Sequence, residues 1–506
     1  MNRQTRLIIF SFCTVKLILH LIADSHSGFQ GDELLHIETG NHLAWGYMEF
    51  PPLIGLFAFI QNLFQSDAVF VHHIFPHLAS MLILIFVAKT TLELGGGNKA
   101  VFLVLLGIII APGFERSQQL FQPVVFSQLF WVLSFYYLVR FATLLDKKSL
   151  WLLTLFCILG LLVKYDAVFF LFGLLSLLFF KRTRDALIRN KCWINIGVFA
   201  LAILPNIVWQ IAHDYPVLQM FSRLYETQLD NVSRLDTFRN LFISINPLVS
   251  LLLVVPGIIY LFVSKNKTTI YPLAGAIALS FLFLLYKNGK AYYFFPLILT
   301  IIPFGAVYLE QHILSKRKWF FYPVTVLMIL GAVMIPFGMP VYPLNRYLSK
   351  VYPYEKKQKG DGTYTVKFEE YYSTDLWKKT MQELKSVYDS LPAEVKSSCL
   401  LWGKHYRQAG AVSLFGKKYG LPAAFSYHGS FYSWAPSGQM PQTVVALSNK
   451  VNGFFEQYFT DVKKVRAIYN SYSYKEEESY QYIYVCQNPK QDFDQMKELF
   501  KHRIFE

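Results

Sequence analysis

The chain contains 506 residues, of which 54% are hydrophobic and 17% aromatic, while only 16% are charged. Soluble globular proteins usually carry about 25% charged residues, so this composition excludes an ordinary soluble protein. The formal net charge is +15, but the basic residues lie mainly in short segments between apolar runs. That distribution is typical of cytoplasmic loops in membrane proteins and does not predict a nucleic-acid partner.

The apolar runs predict a polytopic α-helical membrane protein. A helix needs about 20 apolar residues to cross a bilayer. The sequence predicts about eleven spans, several of them short. Their approximate positions are 7–23, 69–92, 100–111, 124–145, 149–163, 167–180, 192–211, 246–263, 270–286, 291–309 and 319–338. A further apolar stretch, 51–64, is too short to span and is predicted to lie in the membrane interface.

The basic residues between the spans predict the orientation of the chain. With the N-terminus in the cytoplasm, strict alternation places most basic segments on the cytoplasmic side, as the positive-inside rule requires. These segments are Arg3 with Arg6, Lys99, Arg140 with Lys147 and Lys148, 181–191, Lys265 with Lys267, and 316–318. The sequence therefore predicts an integral plasma (inner) membrane protein whose even-numbered connections are cytoplasmic.

The first outer loop, 24–52, is strongly acidic and contains no Lys or Arg. Its carboxylates are Asp24, Asp32, Glu33, Glu38 and Glu49. Residues 32–45 are predicted to form a short helix, with Asp32 near its N-terminus, where the helix dipole favours an ionised carboxylate. Asp32 is then either an ordinary acidic helix cap or an anionic group held at the membrane surface for chemistry.

The composition changes at about residue 340, after which no run could span a membrane. Helical periodicity over 374–391 and short apolar pieces at 399–402, 443–447 and 482–486 predict a small α/β domain. The predicted domains are thus a membrane domain, 1–339, which includes the loop segment 24–65, and an extracytoplasmic soluble domain, 340–506. Cys399 and Cys486 in this second domain are either bridged or two buried thiols.

The run GDELLHIETGNHLAWGYMEFPPL, 31–53, resembles the first outer loop of bacterial glycosyltransferase family 39 proteins of the dolichyl-phosphate-mannose–protein mannosyltransferase type. These proteins have the GT-C membrane fold and are related to the aminoarabinose transferases that act on lipid A. Other similar segments are 161–170, 204–221, 246–260, 287–297, 406–422 and 426–436. The resemblance covers nearly the whole chain and implies a GT-C glycosyltransferase with its catalytic residues in the segment 24–65.

The resemblance also implies the reaction. A hexosyl or pentosyl group would leave a polyprenyl-phosphate donor and join a lipid, glycan or protein acceptor at the outer face, with inversion, among membrane lipids. The acidic residue of the family's first-loop motif corresponds to Asp32, which we predict to be the general base for the acceptor hydroxyl. Glu33 is the second catalytic candidate, although adjacent helical side chains diverge by about 100° and would not share one proton.

The donor phosphate requires cations or hydroxyl groups, because negative charge develops on it as the sugar departs. Lys164 and Lys290 lie on the predicted outer side, where orientation bias gives no reason for basic residues. We predict that both contact the phosphate, together with the hydroxyl of Tyr292. The alternative is that the lysines extend their charged ends to the lipid headgroups.

Three further residues are predicted to bind or support the acceptor: Glu49, His213 and Tyr293. Any requirement for a divalent metal ion is left open, and Asp32 with Glu49 would be its ligands. Ser127 departs from the family pattern, since relatives often carry an acidic residue there.

Two alternative functions remain. One is a transporter or flippase for a lipid-linked saccharide, which should show paired repeats and broken helices at mid-membrane. The other is a catalytically silent binding subunit, suggested by Ser127. The acidic loop at the membrane edge favours the enzyme over the transporter.

The topology leads to a first prediction. A reporter fused after Phe337 should be extracytoplasmic, and one fused after Arg184 should be cytoplasmic, because the alternation of spans puts these positions on opposite sides. Paired alkaline phosphatase and fluorescent-protein fusions measure this. The same compartment for both fusions would contradict the predicted topology.

Overall fold

The computed structural model describes residues 1–350, 365–451, 453–473 and 478–505. The chain divides into two compact units. The membrane unit comprises Met1–Ile22, Phe50–Leu53 and His73–Val341, and the C-terminal unit comprises Ala23–Glu49, Ile54–His72 and Tyr342–Glu506. Most of the loop segment 24–65, which the sequence analysis assigned to the first domain, is therefore grouped with the C-terminal residues.

The regular secondary structure of the membrane unit is helical in its described residues. Its α-helices are Arg3–Ser25, which continues into the other unit, Ile74–Glu93, Asn98–Ile109, Pro112–Gln119, Pro123–Leu144, Lys147–Val163, Ala167–Leu174, Lys181–Arg189, Cys192–Ala212, Pro216–Leu224, Arg234–Ser244, Pro247–Val249, Val255–Val263, Lys267–Tyr286, Phe295–Tyr308 and Phe321–Leu330. Tighter or wider helical turns extend several of these, among them Leu175–Leu178, Ser250–Val254, Ala291–Phe294, Leu309–Leu314 and Gly331–Phe337.

Among the described residues, seven helices are long and apolar enough to cross a membrane, or up to nine if each of two bent pairs is one span. The predicted polytopic helical class is confirmed, and the predicted count of about eleven is not. Asn98–Ile109 and Pro112–Gln119 meet at 70°, and Arg234–Ser244 and Pro247–Val263 meet at 97°. A proline begins the second helix of each pair, where its missing N–H costs no helical hydrogen bond.

Two of the spans expose most of their apolar surface. Within an 18-residue apolar window of each helix, only 11% of the residues are buried in Cys192–Ala212 and 17% in Lys318–Phe337. Exposed apolar faces of this length would be unfavourable in water, but they match the hydrocarbon of a bilayer. They are the surfaces that the membrane lipids cover.

A buried ion pair lies inside the membrane unit. Lys16 Nζ, on the first span, is 2.6 Å from Glu115 Oε1, on the helix Pro112–Gln119, and both side chains are fully buried. His20 Nε2 lies 3.9 Å from the other oxygen of the same carboxylate. Ionisable groups at membrane depth are expensive and require partners, so this pair joins the first span to the bent helix pair.

The ion pair leads to a second prediction. Lys16→Met leaves Glu115 buried without its cation, which should cost about 3 kcal/mol or more of stability. The double variant Lys16→Met/Glu115→Gln should recover much of this loss, because no charge is then left unpaired. Thermal unfolding of the detergent-solubilised chain measures both effects, and Lys148→Met at an exposed position is the matched control. A double variant no more stable than the single one would contradict the pairing.

The C-terminal unit combines short helices with one sheet. Its α-helices are Gly31–Glu38, Leu53–Asn62, which begins in the membrane unit, Val69–His72, Leu344–Lys350, Glu370–Asp389, Ala393–Lys396, Tyr406–Phe415, Phe431–Trp434 and Phe493–Phe500. The described strands are β1 (Leu400–Gly403), β2 (Ala424–Phe425), β3 (Thr443–Ser448), β4 (Phe459–Tyr469) and β5 (Tyr480–Pro489). Their order is β2-β1-β3-β5-β4, with β1 parallel to β2 and β3, and β5 antiparallel to β3 and β4.

The core of this unit surrounds the buried indole of Trp402 on β1. Phe425 stacks on it at 5.5 Å between ring centroids, and Phe455 meets it edge-on at 5.1 Å. The predicted helix and the three predicted strands are confirmed. The long strand β4 was not predicted, because as an edge strand it keeps basic side chains such as Lys463 and Lys464 in solvent.

Cys399 and Cys486 are free and buried. Cys399 precedes β1 and Cys486 lies on β5, with β3 between these strands. Two interstrand spacings amount to about 9.6 Å, whereas disulfide-bonded Cα atoms lie less than about 7 Å apart. The second alternative, two buried thiols, is therefore the observed one.

Candidate functional site

Asp32 lies in the first turn of a short helix, Gly31–Glu38, which we name the loop helix. Its N-terminus carries a capping box. The Glu33 carboxylate accepts the backbone N–H of Gln30 at 2.7 Å, and the Gln30 side chain accepts the N–H of Asp32 at 3.0 Å. Glu33 is buried in this capping role. The predicted position of Asp32 near a helix N-terminus is confirmed.

The loop helix is shorter than the predicted helix 32–45. It ends at Glu38 and continues only as a tight turn, Thr39–Asn41. The backbone of Gly40 lies against the helix Leu53–Asn62, where an added Cβ would overlap the backbone at Ala58. The hydroxyl of Tyr47 donates to the carbonyl of Thr39 at 3.2 Å. These contacts turn the chain away from the helical path.

The loop helix packs on the helix Tyr406–Phe415, which we name the Tyr406 helix. A Cβ on Gly31 would overlap the side chain of Arg407, and one on Gly410 would lie 2.8 Å from the carbonyl oxygen of Leu34. Glycine at both positions therefore permits the close approach of the two helices.

The carboxylate of Asp32 accepts a hydrogen bond from the Tyr406 hydroxyl at 2.7 Å. Burial and the charge of Asp32 raise the pKa of Tyr406 well above its ordinary value, so the phenol remains a neutral donor. Asp32 itself is only partly buried. It is thus held in one orientation by the tyrosine while part of it stays accessible.

Arg407 balances the negative charge around the loop helix. Its Nη1 lies 3.5 Å from Glu369 Oε2 and 3.3 Å from Glu478 Oε2. Burial disfavours the charged guanidinium, but the charges of Glu369, Asp32 and Glu478 outweigh it and raise the pKa of Arg407. The other oxygen of Glu369 accepts the N–H of Gly31 at 2.7 Å. Arg407 therefore orders the carboxylates at the start of the loop helix.

Glu49 is held by the segment that follows β2. The backbone N–H of Ser430 donates to Glu49 Oε1 at 2.9 Å, and the Ser430 hydroxyl donates to Oε2. Gly429 has a positive φ of 59°, and a Cβ there would overlap the Glu49 carboxylate. Burial raises the pKa of Glu49 to about 7, the Ser430 hydrogen bonds oppose this rise, and the charge of Asp32 adds to it.

His428 lies beside the Tyr406 helix. Its ring centroid is 4.0 Å from that of His405 and 4.9 Å from that of Tyr406. Burial and the positive charge of Arg407 lower the pKa of His428 to about 4. The imidazole is therefore neutral at neutral pH.

The membrane unit brings together three of the predicted phosphate and acceptor residues. Lys164 Nζ lies 4.9 Å from the ring centroid of Tyr293 and 5.6 Å from that of Tyr292. It also pairs with Asp166 Oδ2 at 2.6 Å, and Asp166 Oδ1 accepts the Ser127 hydroxyl at 2.8 Å. The Ser127 hydroxyl thus stabilises the Asp166 carboxylate. An acidic residue at position 127 would instead repel that carboxylate.

Lys290 and His213 have other neighbours in the membrane unit. Lys290 Nζ donates to Gln228 Oε1, and burial lowers its pKa. The exposed ring of His213 stacks on Trp209 at 4.0 Å between centroids, with Nδ1 2.8 Å from the Trp209 carbonyl oxygen. These contacts connect His213 to its own helix, Cys192–Ala212.

Sequence reasoning missed the residues that hold the acidic loop: Tyr406, Arg407, Ser430 and Glu369. Two of the similar segments, 406–422 and 426–436, contain the first three of them, so the signal was present as resemblance. The resemblance did not show that Tyr406 bonds to Asp32, because the two residues lie 374 positions apart in the sequence.

Comparison with known proteins finds a family model that is similar to part of the chain. Residues 50–209 match the family model for dolichyl-phosphate-mannose-protein mannosyltransferase. The predicted resemblance is confirmed. The match supports a glycosyltransferase, and the apolar helices fit a protein that is integral to the membrane. It includes Lys164 and Ser127, whereas Asp32, Glu33 and Lys290 lie outside it.

Two solved structures are similar to the chain at low identity. The archaeal oligosaccharyltransferase AglB from Archaeoglobus fulgidus, in complex with an inhibitory peptide and a dolichol-phosphate, has a TM-score of 0.43 at 12% identity over 88% of this chain and 70% of that chain. The apo oligosaccharyltransferase from Archaeoglobus fulgidus has a TM-score of 0.42 at 12% identity over 78% and 59%. No curated protein sequence matches significantly.

The environment of Glu49 leads to a third prediction. Between about pH 4.5 and pH 7 the folded chain holds the Glu49 proton and the unfolded chain has lost it, so the stability of the C-terminal unit should fall as pH rises through this window. Glu49→Gln should remove this part of the pH dependence. Melting temperatures from pH 4 to pH 8 measure it, with Glu394→Gln at an exposed position as control. An unchanged slope in Glu49→Gln would contradict the raised pKa.

Proposed function

We propose that the protein transfers a hexosyl or pentosyl group from a polyprenyl-phosphate donor to an acceptor hydroxyl at the outer membrane face, with inversion. The matched family model carries this proposal, since its description names transfer from a dolichyl-phosphate-linked sugar to protein. The acceptor here is a lipid, glycan or protein. The plasma membrane location and the outer position of the site follow from the predicted orientation.

Asp32 is the proposed general base. As the acceptor oxygen attacks the anomeric carbon, the bond from that carbon to the phosphate oxygen breaks, and the acceptor proton passes to the Asp32 carboxylate. The polyprenyl phosphate leaves with the bonding electron pair. The accessible part of Asp32 and its single orientation beside Tyr406 support this role.

The neighbours of Asp32 have supporting roles in this proposal. Tyr406 orients the carboxylate without taking its proton, because its own pKa is raised. Glu33 positions the helix through its capping hydrogen bond, so we assign it no proton transfer. Glu49, with a pKa of about 7, exchanges a proton near neutral pH and is the second carboxyl able to serve the acceptor. Asp32 and Glu49 are also the proposed ligands of any divalent metal ion.

Lys164, Lys290 and Tyr292 are the proposed contacts of the donor phosphate. The charge of Lys164 is shared with Asp166. Partial burial of Lys290 supports the proposal, because an anionic phosphate would stabilise the charged form of this lysine. Tyr293, beside Lys164, and His213 remain the proposed acceptor-side residues.

A fourth prediction tests the base. Asp32→Asn keeps the size of the side chain and its hydrogen bond from Tyr406 but removes the proton acceptor, so the transfer rate should fall at least about 100-fold. Lys290→Ala should instead raise the donor KM, because its proposed partner is the phosphate. Both are measured with a radiolabelled polyprenyl-phosphate sugar in proteoliposomes.

The matched control is Asp389→Asn, which neutralises an exposed carboxylate at the end of the helix Glu370–Asp389. It should transfer sugar at the wild-type rate. Near wild-type transfer by Asp32→Asn would refute the base assignment and make Glu49 the next candidate. Unchanged melting of Asp32→Asn separates a chemical defect from misfolding.

One observation keeps transport as a second candidate function. The two bent helix pairs, at 70° and 97°, are of the kind that transporters use around a substrate. A transporter would move a fluorescent lipid-linked sugar across vesicles without any acceptor, whereas a transferase needs the acceptor to consume the donor. Acceptor-independent translocation together with an inactive transfer assay would favour the transporter.

A further inference from the structure

The C-terminal unit contains a cavity of about 350 Å³ that opens to solvent beside β1. This volume lies within the range of small-molecule sites, about 300–1,000 Å³. Aromatic side chains form much of its wall: Trp402, Tyr427, Phe454 and Phe500. The ring of Tyr427 stacks on Phe500 at 4.8 Å, with the two planes 1° apart. Trp402, Tyr427 and Phe500 are buried behind the wall, whereas Phe454 is partly exposed and offers a flat apolar face on which a sugar ring can lie.

Positive charge is concentrated in the same wall. Lys404, Lys450 and Arg503 line the cavity, and none of its described lining residues is acidic. Lys404 is partly buried, with Nζ 4.4 Å above the ring of Phe454. Burial, with repulsion from Lys450 and Arg503, lowers the pKa of Lys404 to about 8. An anion bound between these groups would relieve their mutual repulsion.

Three residues that line the cavity each carry a buried polar atom with no hydrogen-bond partner in the described part of the chain. These atoms are Trp402 Nε1, the Tyr427 hydroxyl and His428 Nδ1. Trp402 and Tyr427 are 1% and 2% exposed. Buried polar groups nearly always have partners, so three orphans around one cavity point to a ligand with hydroxyl or oxyanion groups.

We propose that this cavity binds an anionic carbohydrate, a pyranose that carries a phosphate or carboxylate. The face of Phe454 takes the ring, the two lysines and the arginine take the anion, and the orphaned polar atoms of the lining residues take the sugar hydroxyls. This binding does not require the proposed transfer reaction, and its measurement is independent of activity.

Isothermal titration of the full detergent-solubilised chain tests the proposal. Mannose 6-phosphate and glucuronate should bind, while mannose and inorganic phosphate should each bind at least about tenfold more weakly, since each lacks half of the contacts. Lys404→Met should weaken mannose 6-phosphate binding about tenfold or more. Lys463→Met, at an exposed position on the edge strand β4, should not change it.

Two further variants separate binding from folding. Lys450→Gln alters an exposed lysine, so its fold should persist while its affinity falls. Tyr427→Phe removes an unpaired buried hydroxyl, which should leave the melting temperature unchanged or higher. It should nevertheless weaken sugar binding, which a purely structural tyrosine would not do.

The following results would overturn the proposal. One is the absence of binding by both anionic sugars at millimolar concentration. Equal affinity for inorganic phosphate and mannose 6-phosphate would show a simple anion site. Wild-type affinity in both Lys404→Met and Lys450→Gln, or in Tyr427→Phe, would show that these residues do not contact the sugar. Loss of sugar transfer without loss of binding leaves the proposal intact, because the two measurements are separate.

Discussion

The close packing of the loop helix on the Tyr406 helix is the contact on which the acidic site depends. Glycine at positions 31 and 410 lets the backbones and side chains approach to a distance that any Cβ would prevent. This approach brings Tyr406 within hydrogen-bond distance of Asp32. A helix of eight residues is marginal by itself. It is stabilised here by its capping box, by Glu369 at its N-terminus and by the partner helix.

The electrostatics of the C-terminal unit follow from burying several carboxylates close together. Arg407 compensates Glu369 and Glu478, and the charges of Glu369, Asp32 and Glu478 raise the pKa of its guanidinium. Glu49 accepts the neutral donors of Ser430, and burial is the largest influence on its pKa. Two carboxylates of one loop therefore acquire different environments. Pairs of this kind are what acid–base chemistry at neutral pH requires.

Charged side chains inside the membrane unit also need partners, because burial there removes them from water. Lys16 is paired with Glu115, and Lys164 with Asp166, each at 2.6 Å. The first pair is fully buried and the second partly exposed. A fully buried pair cannot exchange its partner for an incoming phosphate without a large desolvation cost, whereas a partly exposed one can. This difference favours Lys164 over Lys16 as a ligand-binding cation.

The sequence by itself determined the class of the protein, because apolar runs of membrane length leave few alternatives. It also predicted the helix near 374–391 and three strands of the sheet, since these elements have strong local periodicity. The predicted count of about eleven spans is not confirmed among the described residues, where two helix pairs bend before Pro112 and Pro247 and such bends depend on packing as well as composition. The predicted loop helix was too long, again because of packing: the backbone of Gly40 lies against a neighbouring helix.

Only the tertiary structure decided the surroundings of the candidate site. The sequence pointed to Asp32 from its loop and its family resemblance, but not to Tyr406, which is 374 residues away. It could not assign a capping role to Glu33 or a pKa of about 7 to Glu49. These properties arise from burial and from long-range contacts. Local sequence records a residue's type and neighbours along the chain, whereas desolvation and hydrogen bonding depend on which distant groups the fold brings to it.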